Sequence, residues 1–142
     1  MKKIVVAITL LIGSVTFAQD RVITFNELPK AGKDFVTKYF DAKKVSVVTL
    51  DDDFFSKDYE LVLTNGTKIE LNGDGEWKEI HGKRNNIPTG FIPKNIISYV
   101  KKSFPNTEII KIEKERSGYS VELTNGLDLD FNSKGEFLRI DD

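Results

Sequence analysis

Polar and apolar residues in the middle of the chain alternate in short runs broken by turn residues. Tyr59, Leu61 and Leu63 alternate with Glu60, Val62 and Thr64, a period of two that predicts a strand with one buried face. Asn65-Gly66 follows, and because both residues tolerate positive φ the pair predicts a two-residue type I′ hairpin. Thr67 to Leu71 then places Ile69 and Leu71 on one face with Lys68 and Glu70 on the other. Asn72-Gly73-Asp74-Gly75 turns again, and Glu76 to His81 forms the next strand. Upstream, Val45 to Leu50 is rich in β-branched residues and reads as a strand. Before it the period lengthens. Leu28, Gly32, Phe35, Val36, Tyr39 and Phe40 recur at three- and four-residue spacing, the stripe of an amphipathic helix opened by Leu28-Pro29 and ending near Phe40 or Asp41. Val22, Ile23 and Phe25 allow one further edge strand in the lead-in.

This pattern returns sixty residues later. Leu63 to Ile80 aligns with Leu123 to Ile140, with eight of eighteen positions identical, and the sequence reads as a tandem duplication. Ile92-Pro93 matches Leu28-Pro29, and Ile92, Ile96, Ile97, Val100 and Phe104 form a second stripe stopped by Pro105. Ile109 to Glu115, Tyr119 to Leu123, Leu127 to Phe131 and Phe137 to Ile140 complete a second set of strands. The first unit is four residues longer around Asp51 to Ser56. The expected fold is α+β: two helix-plus-four-stranded meander units joined edge to edge into one eight-stranded sheet, both helices on one face.

The N-terminus carries a different pattern. Lys2-Lys3, an apolar run from Ile4, and Thr16 and Ala18 at the −3 and −1 positions make a secretory signal peptide over residues 1–18. The run is shorter than the roughly 20 residues a membrane span needs. Cleavage leaves 124 residues (19–142), read as one domain of two repeats, about 26–82 and 87–142. Losing Lys2 and Lys3 lowers the basic count from 21 to 19 against 22 acids. A weakly acidic chain without a basic cluster is unsuited to nucleic acid, which is bound by grouped Lys and Arg. There is no cysteine, so neither a disulfide nor an N-terminal lipid anchor forms. The expected product is soluble in the periplasm or secreted, off the membrane once the signal is cut.

The two Pro-initiated helices, the paired Thr-Asn-Gly hairpins (Thr64 to Gly66, Thr124 to Gly126) and the paired Asn-x-x-Gly-Glu turns (Asn72 to Glu76, Asn132 to Glu136), behind a signal peptide, resemble the PepSY-like secreted proteins that share the β-lactamase inhibitor protein fold. The resemblance spans the mature chain and its motifs are structural. It implies an exported protein of unassigned activity with no catalytic residues to carry over. In the inhibitor relatives the sheet surface grips an enzyme; the cysteines of those relatives are missing here, so lactamase inhibition itself does not transfer.

Chemistry-bearing residues are few. Period-two alternation sends Glu60, Glu70, Glu122, Asp128 and Asp130 to the uncovered sheet face. Counting Ile80 and Ile140 inward puts Trp77 and Phe137 outward beside Glu79 and Arg139, an aromatic pair among charges suited to a partner. A bulge near Gly75 or Gly135 would turn both rings into the core instead. Asp51-Asp52-Asp53 and the Asn72 to Glu76 turn invite a calcium reading, but neither meets the twelve-residue loop with alternating ligands. Phe54-Phe55 read as anchors of their hairpin in the core, or as a solvent-facing contact pair. His81, the only histidine, cannot build a triad or a three-ligand zinc site unaided. No enzyme, metal or cofactor is assigned. The expected function is a non-enzymatic periplasmic module that binds a protein or peptide, possible inhibition included, through Trp77, Phe137, Glu70, Glu79, Asp128, Asp130 and Arg139. The alternative is a carrier for a small ligand or cation.

Overall fold

The computed structural model describes residues 20–141; the expected signal peptide lies outside them. Nine strands form one antiparallel sheet in sequential order: β1 (Arg21–Ile23), β2 (Val45–Asp52), β3 (Lys57–Leu63), β4 (Lys68–Asn72), β5 (Trp77–His81), β6 (Ile109–Glu115), β7 (Gly118–Leu123), β8 (Asp128–Asn132) and β9 (Phe137–Asp141). Helix α1 (Lys30–Tyr39) precedes β2 and helix α2 (Lys94–Ser103) precedes β6. The expected eight strands become nine because the lead-in pairs with β2, Val22 opposite Thr49. The middle of the sheet is sealed where β5 pairs with β6, Ile80 opposite Ile112.

Each helix is capped by its proline, Pro29 or Pro93, and buries the predicted stripe, Gly32 and Val36 in α1, Ile96 and Val100 in α2. Both helices lie on the same side of the sheet. A Cβ on Gly32 would meet the Leu71 side chain of β4, and Tyr99 of α2 packs on Phe131 of β8. Leu61, Ile69, Leu71, Ile80, Ile112, Val121, Leu123 and Leu129 are fully buried beneath them, which is the face that alternation predicts. Phe91, in the segment before α2, sits edge-on to Phe35, Tyr39 and Trp77, so one aromatic cluster ties α1 to the sheet and to the start of the second half.

Two local predictions are corrected. Gly66 and Gly126 have φ of +89° and +85°, but Asn65 and Asn125 do not have positive φ. The hairpins are therefore three-residue loops closed by Leu63 to Thr67 and Leu123 to Leu127 pairs, with the Asn side chain accepting from the residue two ahead. A type I′ turn would need both central residues left-handed. The second correction concerns the last strand of each half. Between β4 and β5 the register slips so that Leu71 faces Trp77 while Glu70 faces Glu79, leaving Lys78 as an extra residue; Leu138 is the extra residue between β8 and β9. The bulge lets residues three apart point the same way. Trp77 and Phe137 therefore turn toward the helices. Trp77 is 9% exposed, and Phe137 stacks on Tyr99 with centroids 4.4 Å apart. The outward aromatic pair does not exist.

Candidate functional site

Register places side chains opposite one another across the uncovered face. One continuous row runs Val22, Thr49, Glu60, Glu70, Glu79, Glu113, Ser120, Asp130, Arg139, each directly opposite the next. Four glutamates from β3, β4, β5 and β6 are thus consecutive neighbours. Like charges directly opposed across strands are destabilising, so this ladder costs the sheet stability. Beside it, toward the β2–β3 tip, Asp51 faces Asp58 and Asp58 faces Asn72. On the other side Val62, Lys68, His81, Lys111, Glu122, Asp128 and Asp141 form a parallel row.

Lysines neutralise the ladder in part. Lys68 reaches Glu60 at 3.4 Å, Lys111 reaches Glu79 at 3.6 Å and Glu113 at 3.8 Å, and Lys78, the bulge residue, donates to Asp58 at 3.0 Å. Glu70 has no such partner among the described residues. Burial first, then the charge on Glu79, pushes its carboxyl above the ordinary range; Lys78 opposes this while Glu60 and Asp58 add to it. At the end of the ladder an open hollow of about 340 Å³ is lined by Asp20, Thr49, Asp51, Asp58, Tyr59, Glu60, Glu70 and Lys78. Desolvation and the neighbouring Asp20, Asp53, Asp58 and Asp52 likewise raise the Asp51 carboxyl. Five carboxylates against one ammonium make this hollow a field for cations.

Of the residues that sequence nominated, Glu70 and Glu79 fall at the centre of the ladder, Asp130 and Arg139 at its far end, and Asp128 in the adjoining row. Trp77 and Phe137 lie on the opposite face. Trp77 takes the Lys114 ammonium over its ring at 4.1 Å, a contact that also fixes it. Sequence reasoning missed Asp20, Asp51, Asp58 and Glu113 as members of the cluster. Their signal was present in the polar phase of each strand, but only the register joins them. Each of the two stretches that invited calcium spends one side chain on its own turn. Asp53 Oδ1 accepts from the Phe55 and Ser56 amides, and Asn72 Oδ1 from those of Asp74 and Glu76. Among the described residues no three His, Cys, Asp or Glu side chains converge as metal ligands do.

The fold has known counterparts. A crystal structure from Bacteroides thetaiotaomicron, described as a "putative calcium-regulated periplasmic protein", is 32% identical with a TM-score of 0.82, the match covering 87% of this chain and 97% of that one. Two proteins from Bacteroides vulgatus, each described as a "putative periplasmic protein" and one as of unknown function, match at 32% and 36% identity with TM-scores of 0.81 and 0.80; each match covers 87% of this chain and 97% and 100% of theirs. Among curated proteins none matches. Residues 57–139 match the family model described as "Putative beta-lactamase-inhibitor-like, PepSY-like". With more than half its length inside that model and three near-complete structural counterparts, the chain belongs to the PepSY-like family and is, like those relatives, a periplasmic protein.

Proposed function

We propose that the protein is a non-enzymatic binding module whose uncovered sheet face holds a cationic surface or segment of another protein. The observation that carries this reading is the four-glutamate ladder running into the acidic hollow. A face that only meets water gains nothing from opposing like charges, and the far end of the same row shows the alternative, with Asp130 bound to Arg139 at 2.7 Å. Acids that raise one another's pKa are relieved when a lysine- or arginine-bearing partner settles on them. The aromatic contacts expected from sequence are withdrawn, and charge takes their place.

The test is capture from periplasmic extract by wild type and by the triple variant Glu60→Gln, Glu70→Gln, Glu79→Gln, in about 50 mM and about 300 mM salt, where screening lengths differ more than twofold. A partner held by wild type at low salt, weakened at high salt and lost with the triple variant is expected. Capture of the same proteins by both forms at both salt levels would refute the reading. A divalent cation is the second reading, supported by the relative described as a "putative calcium-regulated periplasmic protein" and by the acidic field of the hollow, whose carboxylates would have to draw together around the ion. It requires that calcium raise the melting temperature by mass action and that Asp51→Asn with Asp58→Asn abolish the rise.

A further inference from the structure

Among the described residues, the most exposed large apolar side chains are not on the sheet face. Phe54 and Phe55, at the tip joining β2 to β3, are each 94% exposed, so the expectation that they anchor their hairpin in the core fails. Burying a phenylalanine is stabilising, and this pair leaves that stabilisation unused in the free protein. The fold does not need the pair: the corresponding turn between β6 and β7 is only Arg116-Ser117.

The tip is nevertheless built. Asp53 Oδ1 accepts from the Phe55 amide at 2.8 Å, the Ser56 amide at 2.7 Å and the Ser56 hydroxyl at 3.3 Å, and the Asp53 amide donates to the Ser56 carbonyl at 3.1 Å. Those amide bonds hold the Asp53 carboxyl below the usual range, so the clamp persists through mild acid. The rings pack edge to face, centroids 5.4 Å apart at 75°. A backbone already held in its turn loses less entropy when the rings enter a pocket. At the base of the tip stand Asp51, Asp52 and Asp58 against Lys57, which faces Asp52, and Lys78, which bonds Asp58, an excess of acid that continues into the hollow lined by Asp51 and Asp58. Such a collar repels an anionic lipid surface and favours a cationic rim.

We propose that Phe54 and Phe55 are a docking tip that enters an apolar pocket rimmed by lysine or arginine, on the same protein partner that the acidic face holds. The inference rests on the reading of that face. It adds an apolar anchor to an electrostatic contact, and the continuity of the tip with the hollow lets one partner span both.

The experiment places the photo-crosslinking residue p-benzoylphenylalanine at position 54 and, separately, at Val62 on the open face, in cells that export the full chain. Expected are adducts of one mass from both positions, the position-54 adduct falling at least about tenfold in the triple variant Asp51→Asn, Asp52→Asn, Asp58→Asn. With the crosslinked partner purified, Phe54→Ala with Phe55→Ala should raise Kd at least about tenfold, the scale of an interface hot spot. Melting temperature should not change, since both rings are outside the core. An adduct at 62 with none at 54, or an unchanged Kd, overturns the tip and leaves the face reading intact; no adduct at either overturns both. A self-adduct also overturns the proposal, as does loss of binding to phosphatidylethanolamine–phosphatidylglycerol vesicles in the double alanine variant.

Discussion

Strands β5 and β9 carry nearly the same instructions, Glu76-Trp77-x-x-Ile80 and Glu136-Phe137-x-x-Ile140, with the same bulge after the aromatic residue. Their fates differ. Strand β5 lies mid-sheet between β4 and β6, and Ile80 is 0% exposed; β9 is the last strand, and Ile140 is 45% exposed. Identical local patterns thus yield a core position and a surface position, because burial depends on what lies beyond the strand. Charge diverges in parallel. The carboxylate of Glu70 faces Glu79, whereas Asp130, at the aligned position, faces Arg139. Asp130 at the edge is bonded to Arg139, whereas Glu70 at the centre has no salt-bridge partner among the described residues.

The largest effect should come from breaking the matched isoleucines. Ile80→Ala removes a fully buried side chain and should cost about 2–4 kcal/mol, while Ile140→Ala should cost under about 1 kcal/mol. Urea unfolding of both variants measures the difference; equal losses would mean that β9 is covered in solution.

Next are the turn glycines. Gly75 and Gly135 both have positive φ, +86° and +78°. A Cβ at 75 would lie 2.7 Å from the Gly32 backbone nitrogen and 2.9 Å from Pro29 Cβ, whereas at 135 the nearest atom is Asn95 Cβ at 3.3 Å. Gly135→Ala should therefore cost about 1 kcal/mol from backbone conformation alone, and Gly75→Ala about 2–3 kcal/mol because α1 must also move. Thermal unfolding should rank them in that order.

The smallest effect has opposite signs in the two halves. Glu70 has a folded-state pKa above its ordinary 4.5. The stability linked to that shift is present below the unfolded value and is lost as pH rises through the folded one. Glu70→Gln should therefore stabilise the protein at pH 7 by a few tenths of a kcal/mol, the scale of partly screened charges, and the gain should fade as pH drops through the carboxylate range. Asp130→Asn should destabilise by about 1 kcal/mol by weakening the bond from Arg139. Unfolding free energies measured from pH 3.5 to 7 test both; a destabilising Glu70→Gln would show that the ladder is not under repulsion.

Most of the fold was legible because turns and apolar periods are local. Pro29 and Pro93 mark where helices start, Asn-Gly pairs mark hairpins, and the phase of Leu61, Ile69, Val121 and Leu129 names the buried face. Period-two counting from Ile80 puts Trp77 outward because it assumes an unbroken strand; the bulge that the sequence leaves open as the alternative reverses it with a single extra residue. For Phe54 and Phe55 the sequence leaves core anchoring and a solvent-facing pair both open, because it gives hydrophobicity but not how far a hairpin tip projects.

Sequence by itself determined the strand and helix order, the inward phase of β3, β4, β7 and β8, and the excess of acid, since each follows from contacts within a few residues. Only the tertiary structure decided which acids are neighbours, which aromatic rings are covered and which matching isoleucine is central. Those depend on register and strand position, where residues distant in the chain supply the solvent exclusion and the opposing charge.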